Sequence, residues 1–308
     1  MGRLSNIRIV DPVLTNLAIG YTNAQLVAEW LFPFAPVDKE RSKLPKFGKE
    51  AFKIYNTLRA LRAKSNRINP EGITDMDLVT DEHDLEYPID YREEAEAAFP
   101  LQAHATHTVT EAIQLRREKT CADMAQNAAN YGAGNKITLA GTSQFTHASS
   151  DPIAVIETAK DAVRSKIGRR PNTMVIGATA LRPLKFHDKL VDKIKYVQKG
   201  KIRLEHLREL FEIENIVVGE AVYADDNDAF GDIWGDNIVL AYVPPKSNGS
   251  MDRDVLAPSY GYTPRRKGNP SVDVRTEDGK IELVRATDNY RPYIVGADAG
   301  YLISDTNA

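Results

Sequence analysis

The sequence predicts an α+β fold built around one long helix, and three observations support this. Residues 151–222 carry, in order, the signals of a helix, a strand, two helices and a strand. Residues 91–131 form the longest helical pattern in the chain. From residue 256 onward, apolar and polar residues alternate as they do in strands, with a tight turn expected at residues 277–279. Together these stretches predict separate helical and β-rich regions around one core.

The first helix of the 151–222 unit is the best marked element in the sequence. Asp151 is suited to cap it, Pro152 to occupy its first position, and Gly168 to close it in a left-handed conformation. Its apolar residues fall on one face: Ile153, Ile156, Val163 and Ile167. We expect this face to pack on a sheet that contains the apolar, β-branched strand at residues 173–176.

A rod-like helix is predicted over residues 101–131. Pro100 is expected to break or kink the helical pattern that begins at residue 91. Small and apolar residues then recur at helical spacing until Gly132 and Gly134, which are predicted to end the helix. About 30 residues at 1.5 Å each give a length of about 45 Å, enough to cross a domain.

One face of this helix carries potential metal ligands. His104, His107 and Glu111 are spaced at i, i+3 and i+7. A metal-dependent hydrolase is therefore the alternative function from another class of protein. Zinc proteases, however, place two His at i and i+4 with a Glu between them. We predict a solvated helix face without a metal.

An acidic segment at residues 225–232 has some features of a calcium-binding loop. Aligned on Asp226, it has Gly231 correctly at the sixth position. Phe230 takes the fifth position, however, and Asn237 the twelfth, where a bidentate Glu is required. We therefore predict an acidic surface loop and no cofactor.

Residues 1–46 are predicted to form an extended N-terminal arm. Pro33, Pro36 and Pro45 fix the backbone and withhold amide donors, which disfavours a helix or a central strand. The arm carries three aromatic residues that need burial: Trp30, Phe32 and Phe34. Two interpretations remain open, because these side chains can pack on their own domain or reach a neighbouring subunit.

Residues 47–90 predict a long two-stranded hairpin. Apolar residues alternate with polar ones on both sides of a turn at residues 69–72: Phe52, Ile54, Leu85, Tyr87 and Ile89. The outgoing side is basic, with Arg59, Arg62, Lys64 and Arg67, and the return is acidic, with Asp75, Asp77, Asp81, Glu82, Asp84 and Glu86. The opposite charges predict pairing of the two sides. Two strands bury too little surface to be stable alone, so we expect the hairpin to lie on its own subunit or the next.

Composition and motifs exclude several classes of protein. The 308 residues carry a formal net charge of -3, without the positive balance of a dedicated nucleic-acid-binding protein. The single cysteine, Cys121, permits no intrachain disulfide. No apolar run approaches the roughly 20 residues that span a bilayer, and no secretory signal is present, which favours cytosolic synthesis. Motifs for acyl transfer, phosphate binding, zinc proteolysis and dinucleotide binding are missing, so no enzyme activity is predicted.

Five local stretches and the order of the elements point to a known family. The stretches are Gly-Arg-Arg-Pro-Asn-Thr-Met-Val-Ile-Gly at 168–177, Val-Val-Gly-Glu-Ala-Val-Tyr at 217–223, Ile-Trp-Gly at 233–235 leading to Tyr-Val-Pro-Pro at 242–245, Pro-Ser-Tyr-Gly-Tyr-Thr at 258–263, and Asp-Ala-Gly-Tyr-Leu-Ile at 298–303. They are similar to stretches in the major capsid proteins of tailed bacteriophages, which have the Hong Kong 97-type capsid fold. The order of arm, charged hairpin, rod-like helix, α/β segment and β-rich tail also resembles that family.

The resemblance implies a shell subunit that assembles through pentamers and hexamers into an icosahedral capsid around double-stranded DNA. Residues 151–255 would form an axial domain near the five-fold and six-fold axes, and residues 91–150 and 256–308 a peripheral domain with the long helix as its spine. Residues 47–90 would lie over the neighbouring subunit. The residues expected at subunit contacts are Trp30, Phe32, Phe34, Arg59, Arg62, Lys64, Arg67, Asp225, Asp226 and Asp228.

The resemblance also implies partners and a location. A separate scaffolding protein and a portal are expected, together with non-specific contact with packaged DNA and no membrane contact. The protein would be assembled in the host cytoplasm and reside in the virion. A bacterial nanocompartment, or encapsulin-like, shell protein is the alternative that shares the fold but encloses protein cargo.

Overall fold

The computed structural model describes residues 25–46, 54–59, 61–62, 64–67, 74–194, 202–245 and 259–307. The α+β fold is confirmed, since two larger sheets and one long helix organise this part of the chain. Its α-helices are α1 (Ala28–Leu31), α2 (Tyr91–Glu96), α3 (Leu101–Gln126), α4 (Pro152–Ile167), α5 (Ala178–Phe186), α6 (Asp188–Ile194) and α7 (Leu204–Phe211). The predictions for the start of the arm and for the turn at 69–72 lie outside the described residues.

A five-stranded sheet forms the core around the 151–222 unit. Its strands, in spatial order, are β5 (Lys136–Thr138), β15 (Gly300–Ser304), β10 (Ile238–Ala241), β6 (Thr173–Gly177) and β7 (Asn215–Gly219). β7 lies parallel to β6, whereas β10 is antiparallel to both of its neighbours. β6 is buried along its whole length, which confirms the predicted apolar strand.

Two strands of this sheet come from outside the predicted 151–255 segment. β5 precedes residue 151, and β15 lies in the 256–308 stretch that was assigned to the other domain, yet the two pair with each other and β15 pairs with β10. Leu302 and Ile303 of β15 are fully buried in the sheet. The five-stranded sheet therefore draws strands from both sides of the predicted 151–255 segment, because these pairings are non-local and leave no mark in the local pattern.

The apolar run at residues 233–243 is only partly strand. Only Ile238–Ala241 is strand, and the preceding residues form a turn at Gly235, whose φ is 55°. The turn directs the Trp234 side chain into the core, where it is 1% exposed. The apolar run therefore reflects burial of a turn as well as of a strand.

Helix α4 lies on the five-stranded sheet and begins and ends as predicted. The Asp151 carboxylate accepts a hydrogen bond from the Ala154 amide at 3.1 Å, and Gly168 closes the helix with φ of 69°. Ile156 and Val163 are fully buried against the sheet. The caps and the apolar face are both local signals, which is why the sequence alone locates this helix.

Replacing Asp151 by Ala is expected to destabilise the subunit by about 1 kcal/mol at pH 7, because the Ala154 amide loses its cap. The hydrogen bond from that amide lowers the pKa of Asp151 below its ordinary value. The contribution is therefore present above about pH 4 and is lost as the pH falls through the lowered pKa. Urea unfolding of the wild type and of Asp151→Ala at several pH values measures this loss. Asp151→Asn keeps the cap oxygen and should remain near the wild type at pH 7; an equal loss for both variants would contradict the capping role.

A six-stranded sheet forms the second layer of the molecule. Its strands are β1 (Phe34–Val37), β4 (Asp81–Asp90), β11 (Gly261–Arg266), β12 (Ser271–Glu277), β13 (Ile281–Tyr290) and β14 (Tyr293–Ile294). β13 is central, since it pairs antiparallel with β4 over its whole length and with β12 through residues 281–287. The predicted tight turn between β12 and β13 is confirmed by the hydrogen bond from the Lys280 amide to the Glu277 carbonyl at 3.1 Å.

Helix α3 packs across the six-stranded sheet and is the predicted rod. Its 26 residues give a length of about 39 Å. The predicted break at Pro100 is confirmed, because α2 ends at Glu96 and α3 begins at Leu101. The predicted end at Gly132 is wrong by about five residues. Asn127 leaves the helix with an extended backbone, and its side chain accepts from the Ala129 amide at 2.9 Å, which starts a 3₁₀ turn instead.

The hairpin is built differently from its prediction. Its base is the pair β2 (Arg41–Lys46) and β3 (Thr74–Val79), so the outgoing strand begins before residue 47. The predicted return strand with Leu85, Tyr87 and Ile89 exists as β4, but it pairs with β13 in the sheet rather than with the outgoing side. Ile89 is fully buried there beside Val284 under α3. Burial in the sheet therefore decides the pairing, not the opposite charges of the hairpin.

Candidate functional site

The described part of the hairpin loop, residues 54–59, 61–62 and 64–67, presents its side chains to solvent. The predicted contact residues Arg59, Arg62, Lys64 and Arg67 are all exposed. The Asn66 side-chain amide donates to the Asn56 and Leu58 carbonyls at 2.7 and 2.9 Å, which ties the two sides of the loop together. These hydrogen bonds therefore fix the two sides of the loop relative to each other, although none of its described residues is in a strand.

Apolar side chains on this loop are as exposed as the cations. Ile54 is fully exposed, and Leu58 and Leu61 are 85% and 90% exposed. Three apolar side chains so exposed on one loop, here called the apolar patch, gain burial only against a partner surface. The predicted contact residues on this loop were its cations, and these apolar residues were not among them. No sequence signal separates them from core residues, since an apolar residue in such a pattern is usually buried.

The acidic return of the hairpin meets arginines from the C-terminal part of the chain. Glu86 lies 2.9 Å from Arg275, Asp84 4.0 Å from Arg285, and Asp81 3.6 Å from Arg291. These carboxylates thus join β4 to the β12 and β13 region, where the prediction expected them to pair with the basic side of the hairpin. Each pair is partly exposed, so each contributes at most about 1 kcal/mol.

The three aromatic residues of the arm have different environments. Phe32 is fully buried in its own chain, with its ring centroid 5.5 Å from that of Tyr260. Phe34 is partly buried and lies between the guanidinium groups of Arg117 and Arg265, at 3.8 and 4.4 Å from its centroid. Trp30 is 37% exposed. The interpretation of packing on the own chain therefore holds for Phe32, and Trp30 is the one of the three that faces solvent.

A buried carboxylate on α3 holds the arm in place. Glu118 is 1% exposed and accepts hydrogen bonds from the Val27 and Ala28 amides, the shortest at 2.8 Å. It also accepts from the Trp234 indole nitrogen at 2.7 Å. One side chain thus joins the arm, the long helix and the turn before β10. Glu118 was not among the predicted site residues, although its position three residues before Cys121 and four before Ala122 places it on the buried helix face.

The acidic segment forms the tip of a small hairpin made by β8 (Val222–Ala224) and β9 (Phe230–Asp232). The Asp225 carboxylate accepts from the Ala229 and Asn227 amides at 2.9 and 2.8 Å, and these bonds lower its pKa. Asp226 and Asp228 are exposed, and Asp228 has φ of 59°. The described residues thus form an acidic surface turn. The carboxylate of Asp225 accepts hydrogen bonds from backbone amides of the same turn.

The potential metal ligands of α3 are His104, His107 and Glu111. His104 stacks edge-on against Phe99 and Tyr87, with centroid distances of 5.7 and 6.1 Å. Among the described residues, no group of three His, Cys, Asp or Glu is arranged to hold a metal ion. No described helix is both long and apolar enough to cross a bilayer.

Comparison with known proteins identifies the family. A model of the family described as phage major capsid protein E matches residues 31–307. The chain belongs to this family. A major capsid protein of Burkholderia phage BcepMu is 64% identical over 307 residues, which cover 100% of both chains. Family membership assigns a structural role in the phage capsid, and hence in the virion.

Solved structures agree with this family and with its fold. A phage-related protein from Bordetella bronchiseptica RB50 is 35% identical, covers 97% of this chain and 98% of its own, and has a TM-score of 0.76. The capsid structure of cyanophage P-SCSP1u has a TM-score of 0.60 at 10% identity, with 94% and 90% of the two chains covered. The SrpI encapsulin of Synechococcus elongatus PCC 7942 has a TM-score of 0.54 at 10% identity, with 97% and 96% covered. The last two show the fold alone, whereas family and sequence identity favour a phage capsid over a nanocompartment.

Proposed function

We propose that this capsid subunit assembles through pentamers and hexamers into an icosahedral shell around double-stranded DNA, and that the loop at residues 54–67 grips the neighbouring subunit. The observation that carries the proposal is the exposed apolar patch of Ile54, Leu58 and Leu61. Burying a Leu or Ile side chain contributes about 1.5–3 kcal/mol. A loop that leaves three of them in solvent gains this stabilisation only when it contacts a second surface.

The remaining contact residues fit the same assembly. Arg59, Arg62, Lys64 and Arg67 are exposed on the same loop as the apolar patch, and such a mixture suits an interface with an apolar centre and a charged rim. We assign the five-stranded sheet with α4 to the axial domain, and the six-stranded sheet with α3 to the peripheral domain. The exposed hairpin with Asp225, Asp226 and Asp228 then lies near the capsomer axis, and Trp30 lies at the exposed side of the arm.

The partners in assembly follow from this shell. A separate scaffolding protein and a portal complete the proposed particle, which forms in the host cytoplasm. Contact with DNA is non-specific, in agreement with a chain of net charge -3 that has no strong basic balance.

Electron microscopy of the purified protein, with and without scaffold from phage lysate, tests the proposed assembly. We expect capsomers or closed shells; monomers that persist under every assembly condition would contradict the proposal.

Leu58→Ser combined with Leu61→Ser is expected to shift the protein from shells to free subunits in sedimentation, with unchanged thermal unfolding of the subunit. Ser65→Ala, in the same exposed loop, is the matched control and should assemble normally. Shells of normal yield from the double Leu variant would show that the loop does not form the contact.

A further inference from the structure

Strand β12 lies at the edge of the six-stranded sheet, and no part of the chain that the structure describes covers either of its faces. All seven of its residues, Ser271–Glu277, are exposed. Among the described strands it pairs with β13 alone. A long exposed edge strand is a template for pairing with another chain, and proteins commonly protect such edges with proline, charged side chains, especially lysine, or a bulge. The sequence Ser-Val-Asp-Val-Arg-Thr-Glu contains neither proline nor lysine, and its three charged residues alternate in sign, which leaves pairing with a complementary strand favourable.

The strand also leaves apolar side chains in solvent. Val272 and Val274 are 44% and 50% exposed. Their register partners on β13, Ala286 and Val284, lie on the same face of the sheet and are buried against α3. The helix therefore covers the apolar face at β13 but leaves the same face of β12 open.

The sequence of β12 is complementary to itself in an antiparallel pair. If Val274 lies opposite Val274 of a second copy, Asp273 lies opposite Arg275, Val272 opposite Thr276 and Ser271 opposite Glu277. The pair of Asp273 with Arg275 then forms twice. Opposite charges and β-branched residues directly across from each other are the favourable cross-strand pairs.

The charges within one subunit already follow this arrangement. Across the strands, Glu86 of β4 lies opposite Arg285 of β13, which lies opposite Asp273 of β12. Arg285 contacts Asp273 with two hydrogen bonds of 3.1 and 2.8 Å. Arg275 contacts Glu86 of its own subunit at 2.9 Å, and in the pair it would also lie opposite Asp273 of the second copy as the next member of this row, which continues the alternation of sign. Like charges at that position would instead repel.

We propose that β12 pairs antiparallel with β12 of a second copy of this chain, centred on Val274, and so joins two six-stranded sheets across a two-fold axis. The contact is isologous, since the same strand serves both partners. A closed icosahedral shell contains such two-fold axes. The inference thus rests on the proposed shell and specifies one of the contacts between its subunits.

Cysteine substitution tests the register directly. In the proposed pair the two Val274 side chains lie about 5 Å apart, within reach of a disulfide after Val274→Cys. The two Val272 side chains lie four strand positions apart, about 13 Å, so Val272→Cys is the matched control with similar exposure and no partner cysteine in reach. The native Cys121 is fully buried and is expected to stay unlinked.

Assembled particles of both variants are oxidised and run on a non-reducing gel. We expect a covalent dimer at about twice the subunit mass of 34.3 kDa for Val274→Cys, lost on reduction, and only monomer for Val272→Cys. Particles that show no dimer for Val274→Cys, or equal dimer for both variants, would overturn the inference while leaving the shell intact. Protection of β12 amides from hydrogen exchange in shells without that dimer would assign the edge to another partner, which also overturns it. Failure of the wild type to assemble at all would instead contradict the proposed function.

Discussion

Replacing Glu118 by Ala is expected to destabilise the subunit by about 3 kcal/mol. The substitution removes the acceptor for the Val27 and Ala28 amides and for the Trp234 indole nitrogen, all of which lie in the buried interior. Each buried donor left without a partner costs about 1–3 kcal/mol. Urea unfolding of unassembled subunits, followed by tryptophan fluorescence, measures the loss and reports on the Trp234 environment at the same time.

Two further variants separate this effect from a general effect on α3. Glu111→Ala removes a carboxylate from the same helix at an exposed position and should change the stability by less than about 0.5 kcal/mol. Glu118→Gln keeps one oxygen as an acceptor but turns a donor toward the amides, so an intermediate loss is expected. A Glu118→Ala variant as stable as Glu111→Ala would show that the carboxylate does not hold the arm.

The same side chain is expected to affect the arm more than the core of the five-stranded sheet. Hydrogen exchange of the Glu118→Ala variant should be faster at Val27 and Ala28, because these amides lose their acceptor. Amides of β6, buried along its whole length, should change little under conditions where the subunit remains folded. Equal acceleration at both places would indicate global unfolding instead of release of the arm.

The elements that the sequence predicts well are those whose signals are local. Helix α4 carries its cap Asp151, its first-turn Pro152 and its closing Gly168 within one short stretch, and all three act as expected. The break at Pro100 and the turn between β12 and β13 are local in the same sense. A residue-by-residue pattern therefore suffices for these elements.

The pairings that the sequence does not predict are those that join distant residues. β15 enters the five-stranded sheet beside β10, and β4 pairs with β13 almost 200 residues away. Both choices depend on which apolar faces are available in three dimensions. The charge pattern of the hairpin suggested another partner for β4, but surface ion pairs are too weak to outweigh the burial of Ile89.

The same difference between local and non-local signals explains why only some residues of the proposed contact surface could be selected from the sequence. The cations of the 54–67 loop could be selected because a run of charge is visible in the sequence and marks solvent exposure. Leu58 and Leu61 could not be distinguished from core residues, since an apolar residue in a one-dimensional pattern is usually buried. Phe32 shows the opposite case, because it was a candidate for a subunit contact and is fully buried in its own chain. The sequence pattern does not distinguish an exposed apolar residue from a buried one, whereas the structure does.

Gly177→Ala is expected to destabilise the subunit by about 3 kcal/mol, at the upper end of what overpacking costs. Gly177 ends β6, and an added Cβ would lie 1.9 Å from the Gly235 carbonyl oxygen. That oxygen belongs to a turn with φ of 55°, and the adjacent Trp234 is held by Glu118, so the backbone has little freedom to move away. The variant should unfold at a markedly lower urea concentration or accumulate as insoluble protein.

Gly132→Ala is the matched control for this clash. The backbone at Gly132 has φ of -64° and ψ of 157°, close to the -62° and 150° of Gly177, so Ala is equally compatible with both conformations. At Gly132, however, the nearest atom to an added Cβ is the Lys166 ammonium nitrogen at 3.5 Å, an ordinary contact on a flexible side chain. Ala should be neutral or slightly stabilising there, because it reduces the conformational freedom of the unfolded chain. A similar loss at both positions would attribute the effect to the backbone, whereas a loss confined to Gly177 locates it in the close approach of β6 to the Trp234–Gly235 turn.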